Sequence, residues 1–122
     1  MSVISKVKFV GIPVSDQDRA LAFWTEKVGL RVATDQPMGQ QRWIELAIPA
    51  AETGLVLFTP EGHKDRIVTF FNGSLACDDV EHAYRKLSEK GVEFEGPPQK
   101  QPWGTFAKFK DPDGNTFVLS SR

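Results

Sequence analysis

Apolar positions in this chain follow two rhythms, a period of two and a period near four, and these alternate in a fixed order. Residues 6–14, Lys-Val-Lys-Phe-Val-Gly-Ile-Pro-Val, are β-branched and aromatic and predict a strand closing near Pro13. Ser15-Asp16 then offers a helix N-cap. Ala20, Leu21, Phe23, Trp24 and Val28 follow at helical spacing until Gly29 stops the helix. Leu30–Ala33 and Gln41–Ile48 read as strands on either side of a turn at Pro37 and Gly39. In the second of them Ile44, Leu46 and Ile48 share one face, and Trp43, Glu45 and Ala47 share the other. Pro49–Thr53 breaks the pattern, Gly54–Phe58 predicts a fourth strand, and residues 60–66 form a polar connector.

The same order then recurs. Ile67–Ala76 predicts a strand and Asp78–Lys90 a helix with Val80, Ala83, Tyr84 and Leu87 inward, stopped by Gly91. Val92–Phe94, Thr105–Lys110 and Thr116–Ser120 are the remaining strands, and Asp111-Pro112-Asp113-Gly114-Asn115 is a turn. Asp16 and Asp78 open the two helices and Gly29 and Gly91 close them, each pair separated by the same interval, about half of the 122 residues. This is an internal repeat of two β-α-β-β-β units, the alternative being a coincidence between two ordinary helices. One unit is too small to bury its own sheet face, so the two must pair.

Size and charge narrow the functions. At 13.6 kDa the chain is expected to be one domain over 1–122, with unit one at about 6–59 and unit two at about 67–121. Fifteen Lys+Arg against sixteen Asp+Glu leave a formal charge of −1, too little positive charge to track phosphates, so no nucleic-acid partner is expected. No apolar run approaches the roughly 20 residues of a membrane span, and residues 1–6 lack the apolar core of a signal peptide. Neither a membrane partner nor secretion is therefore expected. Cys77 is the single cysteine, which suits a reducing, cytoplasmic compartment. With it, His63 and His82 are too few for a Cys/His zinc site.

Several landmarks carry a resemblance: the paired units, Val14-Ser15-Asp16, Phe23-Trp24 before Gly29, and the Asp111–Asn115 turn. Together they make the chain resemble the vicinal oxygen chelate superfamily, which includes glyoxalase I, extradiol dioxygenases and bleomycin resistance proteins. Phe23–Gly29 and Gln101-Pro102-Trp103-Gly104 are most similar to the bleomycin resistance branch. The resemblance implies an α+β fold: two βαβββ units forming a cupped mixed sheet, helices on the outer face, in a homodimer that shares a cleft. It also implies four metal-ligand positions on the first and last strands of each unit. Here those positions fall on Phe9, Leu57, Asn72 and Val118, none of which is a thiolate, imidazole or carboxylate. The expectation is therefore no metal and no cofactor.

Within the implied cup, Glu45 stands beside Trp43. It is the one candidate for acid–base work, and its other reading is a solvated or Arg42-paired surface carboxylate. Trp43 and Trp103 are candidates to stack on a flat ligand, although Trp43 equally suits core packing or a dimer contact. Trp24 is expected to pack on the sheet. Asn72 can hydrogen-bond a ligand or be satisfied internally. His82 is expected on the polar side of the second helix and His63 in a solvated loop. Cys77 reads either as a thiol with a pKa lowered by the helix dipole or as a small buried filler. The expected lining is Phe9, Trp43, Glu45, Leu57, Asn72, Trp103 and Val118. The resulting function is binding of a flat aromatic small molecule without metal; the alternative is a glyoxalase-type lyase or isomerase or a dioxygenase-like enzyme.

Overall fold

A computed structural model describes residues 3–39, 41–60, 65, 67 and 73–121. The first unit runs β1 (Phe9–Pro13), α1 (Gln17–Ala22), a π-helical turn (Phe23–Val28), β2 (Arg31–Met38), β3 (Gln41–Ala47) and β4 (Gly54–Phe58). The second runs β5 (Ser74–Ala76), α2 (Val80–Glu89), β6 (Glu93–Phe94), β7 (Gln99–Gln101), β8 (Gly104–Lys110) and β9 (Thr116–Ser121). Each unit makes its own mixed sheet, ordered β1-β4-β3-β2 and β5-β9-β8-β6, with β7 pairing on β8 beside β6. In both, the first strand runs parallel to the last and the other pairs are antiparallel. The two α+β units thus share one topology, as the repeat predicts.

The helix boundaries have local causes. Asp16 caps α1 by accepting the Arg19 amide, and Asp79 caps α2 by accepting that of His82. The cap of the second helix is therefore Asp79 and not the expected Asp78. Gly29 and Gly91 both close their helices at left-handed φ, +93° and +92°, where a side chain would be strained. Past Ala22 the first helix widens to π winding, with the Thr25 hydroxyl bonding back to the Leu21 carbonyl at 2.7 Å. Two adjacent aromatics, Phe23 and Trp24, are both buried there.

One core joins the units. Ile44, Leu46, Leu55 and Leu57 of the first sheet meet Phe109, Phe117 and Leu119 of the second around Ile12, Val14, Phe23 and Trp24. Trp24 packs on the second unit's sheet, its ring edge-on to Phe117 at 4.9 Å and to Phe109 at 6.1 Å. Gln17 on α1 donates to the carbonyls of Arg42 and Leu57 at 2.7 and 3.0 Å, which ties the same helix to its own sheet. No strand of one sheet pairs with a strand of the other among the described residues. Instead the Asp111–Asn115 turn clasps the first unit. Asn115 Nδ2 donates to the Pro13 carbonyl at 2.9 Å, and Asp113 receives Ser15 and Arg19.

Three strand expectations need amendment. β2 continues through Pro37 to Met38, because it is the outer strand of its sheet and a missing N–H there costs no ladder bond. β7 is an addition; Gln99-Lys100-Gln101 has no apolar alternation and pairs only through its backbone. The long strand expected over 67–76 is described from Ser74 to Ala76, most of the rest lying outside the described residues.

Candidate functional site

The helices cover one face of each sheet and leave the other open, and strand register decides which side chains stand there. In β3, Ile44 and Leu46 pair with Leu57 and Leu55, all in the core. Glu45 pairs with Val56 and Thr34, so it turns to the open face together with Trp43. Phe9 reaches the same face from β1, its ring edge-on to Trp43 at 5.4 Å. The structure thus brings Phe9, Trp43 and Glu45 together. Arg42 does not pair with Glu45, since it points to the helix side and holds Asp35 and Asp18. That guanidinium keeps the Asp35 carboxyl below the usual carboxylate range.

Leu57 requires a correction. Paired with Ile44 and 0% exposed, it belongs to the core and cannot line the open face. A slip of one position inverts facing in a strand, and the open-face neighbours are Val56 and Phe58.

The second sheet repeats the division. Phe117 and Leu119 are buried, whereas Val118 pairs with Lys108 and Ser74 on the open side, in line with Phe106 and Ser120. Trp103, at the tip of the β7–β8 hairpin, is 60% exposed and stacks on Phe106 with centroids 5.6 Å apart and planes inclined by 18°. Val118 and Trp103 therefore belong to one sheet, and Phe9, Trp43 and Glu45 to the other. Asn72 and His63 lie outside the described residues, and His82 is exposed on α2, as expected.

Two cavities flank this arrangement. One of about 710 Å³ separates the first strands of the two units and is mainly apolar, with Val10, Ile48, Leu55 and Leu75 in its wall. The other, about 560 Å³, is lined by Ala76, Cys77, Asp78, Trp103, Ser120 and Ser121. Of these only Trp103 was expected at a site. Short polar residues at strand ends carry no signal in the sequence. Burial raises the Cys77 thiol pKa; a backbone hydrogen bond at Asp79 opposes this, and the charges of Asp78 and Asp79 add to it. Burial thus outweighs the helix start, and Cys77 packs against the core, as the filler reading has it.

A metal does not fit the residues on these strands. Phe9, Val56, Phe58 and Val118 offer no donor atom, and among the described residues no three His, Cys, Asp or Glu side chains cluster for an ion. No helix among the described residues is long and apolar enough to cross a membrane.

Paired βαβββ units, each with its own mixed sheet, define the class of fold to which the chain belongs. The chain belongs to the glyoxalase/bleomycin resistance protein/dioxygenase superfamily, whose sequence profile matches residues 6–119. It is 42% identical to the Bacillus subtilis protein YetH over 118 residues, spanning 96% of this chain and 98% of that one. The crystal structure of TnmS3, an antibiotic binding protein from a Streptomyces species, superposes with a TM-score of 0.88 at 37% identity, covering 99% of this chain and 98% of the other. A superfamily member from Sphaerobacter thermophilus does so with a TM-score of 0.86 at 33% identity, covering 99% and 100%.

Proposed function

We propose that this protein binds a flat aromatic small molecule by stacking on the open sheet faces, without a resident metal, as a cytoplasmic homodimer. The observation that carries this reading is the pair of aromatic contacts on those faces, Phe9 with Trp43 and Trp103 with Phe106. Aromatic pairs in fixed geometry, each an exposed ring (Phe9, Trp103) against a half-buried one (Trp43, Phe106), offer a ready surface to a planar ring and lose little side-chain entropy when one binds. Glu45 supplies a hydrogen-bond acceptor beside Trp43, and Val118 an apolar wall on the second sheet; Asn72 is proposed as a further polar contact. The likeness to TnmS3, described as an antibiotic binding protein, supports the same class of ligand.

Dimerisation accords with the exposed apolar surface. Val3, Ile4, Val7, Phe9 and Met38 are all more than a third exposed, and β1, β2 and β5 are outer strands. The chain is proposed to act as one domain of two units. Titrating tryptophan fluorescence with a panel of aromatic antibiotics tests the binding reading. Saturable quenching supports it, and its absence across the panel refutes it.

A further inference from the structure

The two units are clasped at one joint and not at its counterpart. Matching the sheets strand by strand lays the Ile12–Leu57 pair of the first unit on the Leu75–Leu119 pair of the second. The bonds that end the two parallel ladders then coincide, the Val14 amide to the Phe58 carbonyl at 2.8 Å and the Cys77 amide to the Ser120 carbonyl at 3.0 Å. On this match Pro13 corresponds to Ala76 and Asn115 to Thr53. At the first joint Asn115, 1% exposed, donates to the Pro13 carbonyl and closes the seam between the units. At the second, the Thr53 hydroxyl turns away to the Val7 carbonyl at 2.6 Å. The Ala76 carbonyl points from the free edge of β5, as that of Pro13 does from β1, and meets no donor among the described residues. The turn that would reach it, residues 49–53, carries one carboxylate, and that of Glu52 faces Lys6 at 3.8 Å.

The 710 Å³ cavity stands at this second joint, with Thr53 and Ala76 both in its wall. Val10, Ile48, Leu55 and Leu75 give it an apolar side and belong to the core or pack on it, so it opens on the opposite side of the first sheet from Trp43 and Glu45. Among the described residues that line it, none is charged or aromatic. We propose that this cavity binds a small neutral aliphatic amide, its N–H donated to the Ala76 carbonyl and its carbon chain laid on Val10, Leu55 and Leu75. Such a ligand does at this joint what the Asn115 side chain does at the other. A charged ligand would lose its hydration with no opposite charge in the wall, and an aromatic one finds no ring to stack on. Burial of the chain supplies the affinity, and the volume is that of a small-molecule site. The proposal is independent of the reading of the open faces.

Hexanamide titrated into the intact protein should shift the backbone amide resonances of Ala51, Leu75 and Ala76 saturably and leave those of Trp43 and Glu45 in place. N,N-dimethylhexanamide, which has no N–H, should bind about fivefold more weakly, and hexanoate at neutral pH should give no saturable shift. Ala51 lines the cavity from an exposed turn, so Ala51→Phe fills the space without touching the core. It should weaken hexanamide about tenfold. Thr53→Asn puts an amide side chain where the other joint has one; it should raise the urea midpoint and weaken hexanamide about fivefold. The proposal is overturned if hexanamide gives no saturable shift up to its solubility limit, the result expected of a cavity filled by a second copy of the chain. Shifts confined to Trp43 and Glu45, equal binding of the dimethyl amide, or either variant binding as the parent does overturn it as well. Quenching by the aromatic panel tests the open faces separately, so either reading can fail alone.

Discussion

Asn115 is 1% exposed and bridges the two units, its side-chain amide donating to the Pro13 carbonyl and to the Asp111 carboxylate, each at 2.9 Å. Asp111 also accepts the amides of Asp113 and Asn115, so removing the Asn115 side chain leaves a buried carboxylate short of a donor. Asn115→Ala should cost about 2 kcal/mol, read as a lower urea midpoint. Two carboxylates here titrate in opposite senses. Asp35 is lowered by its hydrogen bonds to Arg42, so its contribution to stability is present above the ordinary carboxylate pKa and is lost as pH falls through the lowered folded value. Asp111 is raised by burial, against the amides it accepts, so its contribution is present below the ordinary value and is lost as pH rises through the raised one. Asp35→Asn should therefore lower stability at neutral pH and approach the parent as pH falls through the lowered Asp35 value. Thermal unfolding of both proteins across pH 2–7 checks this; a constant offset at every pH would contradict it.

At the scale of elements, Gly54 opens β4 where a Cβ would lie 2.7 Å from the Leu46 carbonyl oxygen. That obstacle is backbone and cannot rotate away. Gly54→Ala should push β4 from β3 and cost about 1–3 kcal/mol in thermal unfolding. Because Glu45 lies on the neighbouring strand, loss of the open-face geometry should accompany the loss of stability. Gly29→Ala meets no neighbouring atom within 4 Å, but retains a φ of +93°. It should cost about 1 kcal/mol through backbone strain alone.

For the whole molecule, the two sheets meet through a shared core and one clasping turn, with no strand pairing between them among the described residues. Trp24 is central to that core. Phe117→Ala beside it should cost about 3–5 kcal/mol and should loosen both units together, seen as a single cooperative transition of lower midpoint. The proposed dimer is checked by light scattering at tens of micromolar, where a mass twice 13.6 kDa is expected. A monomer there would refute it.

Much of this protein was legible in its residues. Alternation in Gln41–Ile48 put Glu45 and Trp43 on the face opposite Ile44 and Leu46, because strand facing is a local property of period two. Gly29 and Gly91 marked both helix ends, because only glycine adopts that backbone at little cost. Other features depended on contacts between distant residues. The facing of Leu57 follows from its register with Ile44, which no pattern within the short apolar run 54–58 specifies. Asp78 and Asp79 both suit a helix cap by residue type, and the structure gives the His82 amide to Asp79. The Asn115 bond to Pro13 spans nearly the whole chain. Tertiary structure also decided that Trp103 stands with Asp78, Cys77, Ser120 and Ser121 around one cavity. These residues lie far apart in sequence and meet only because β5, β9 and the β7–β8 hairpin come together in a single sheet.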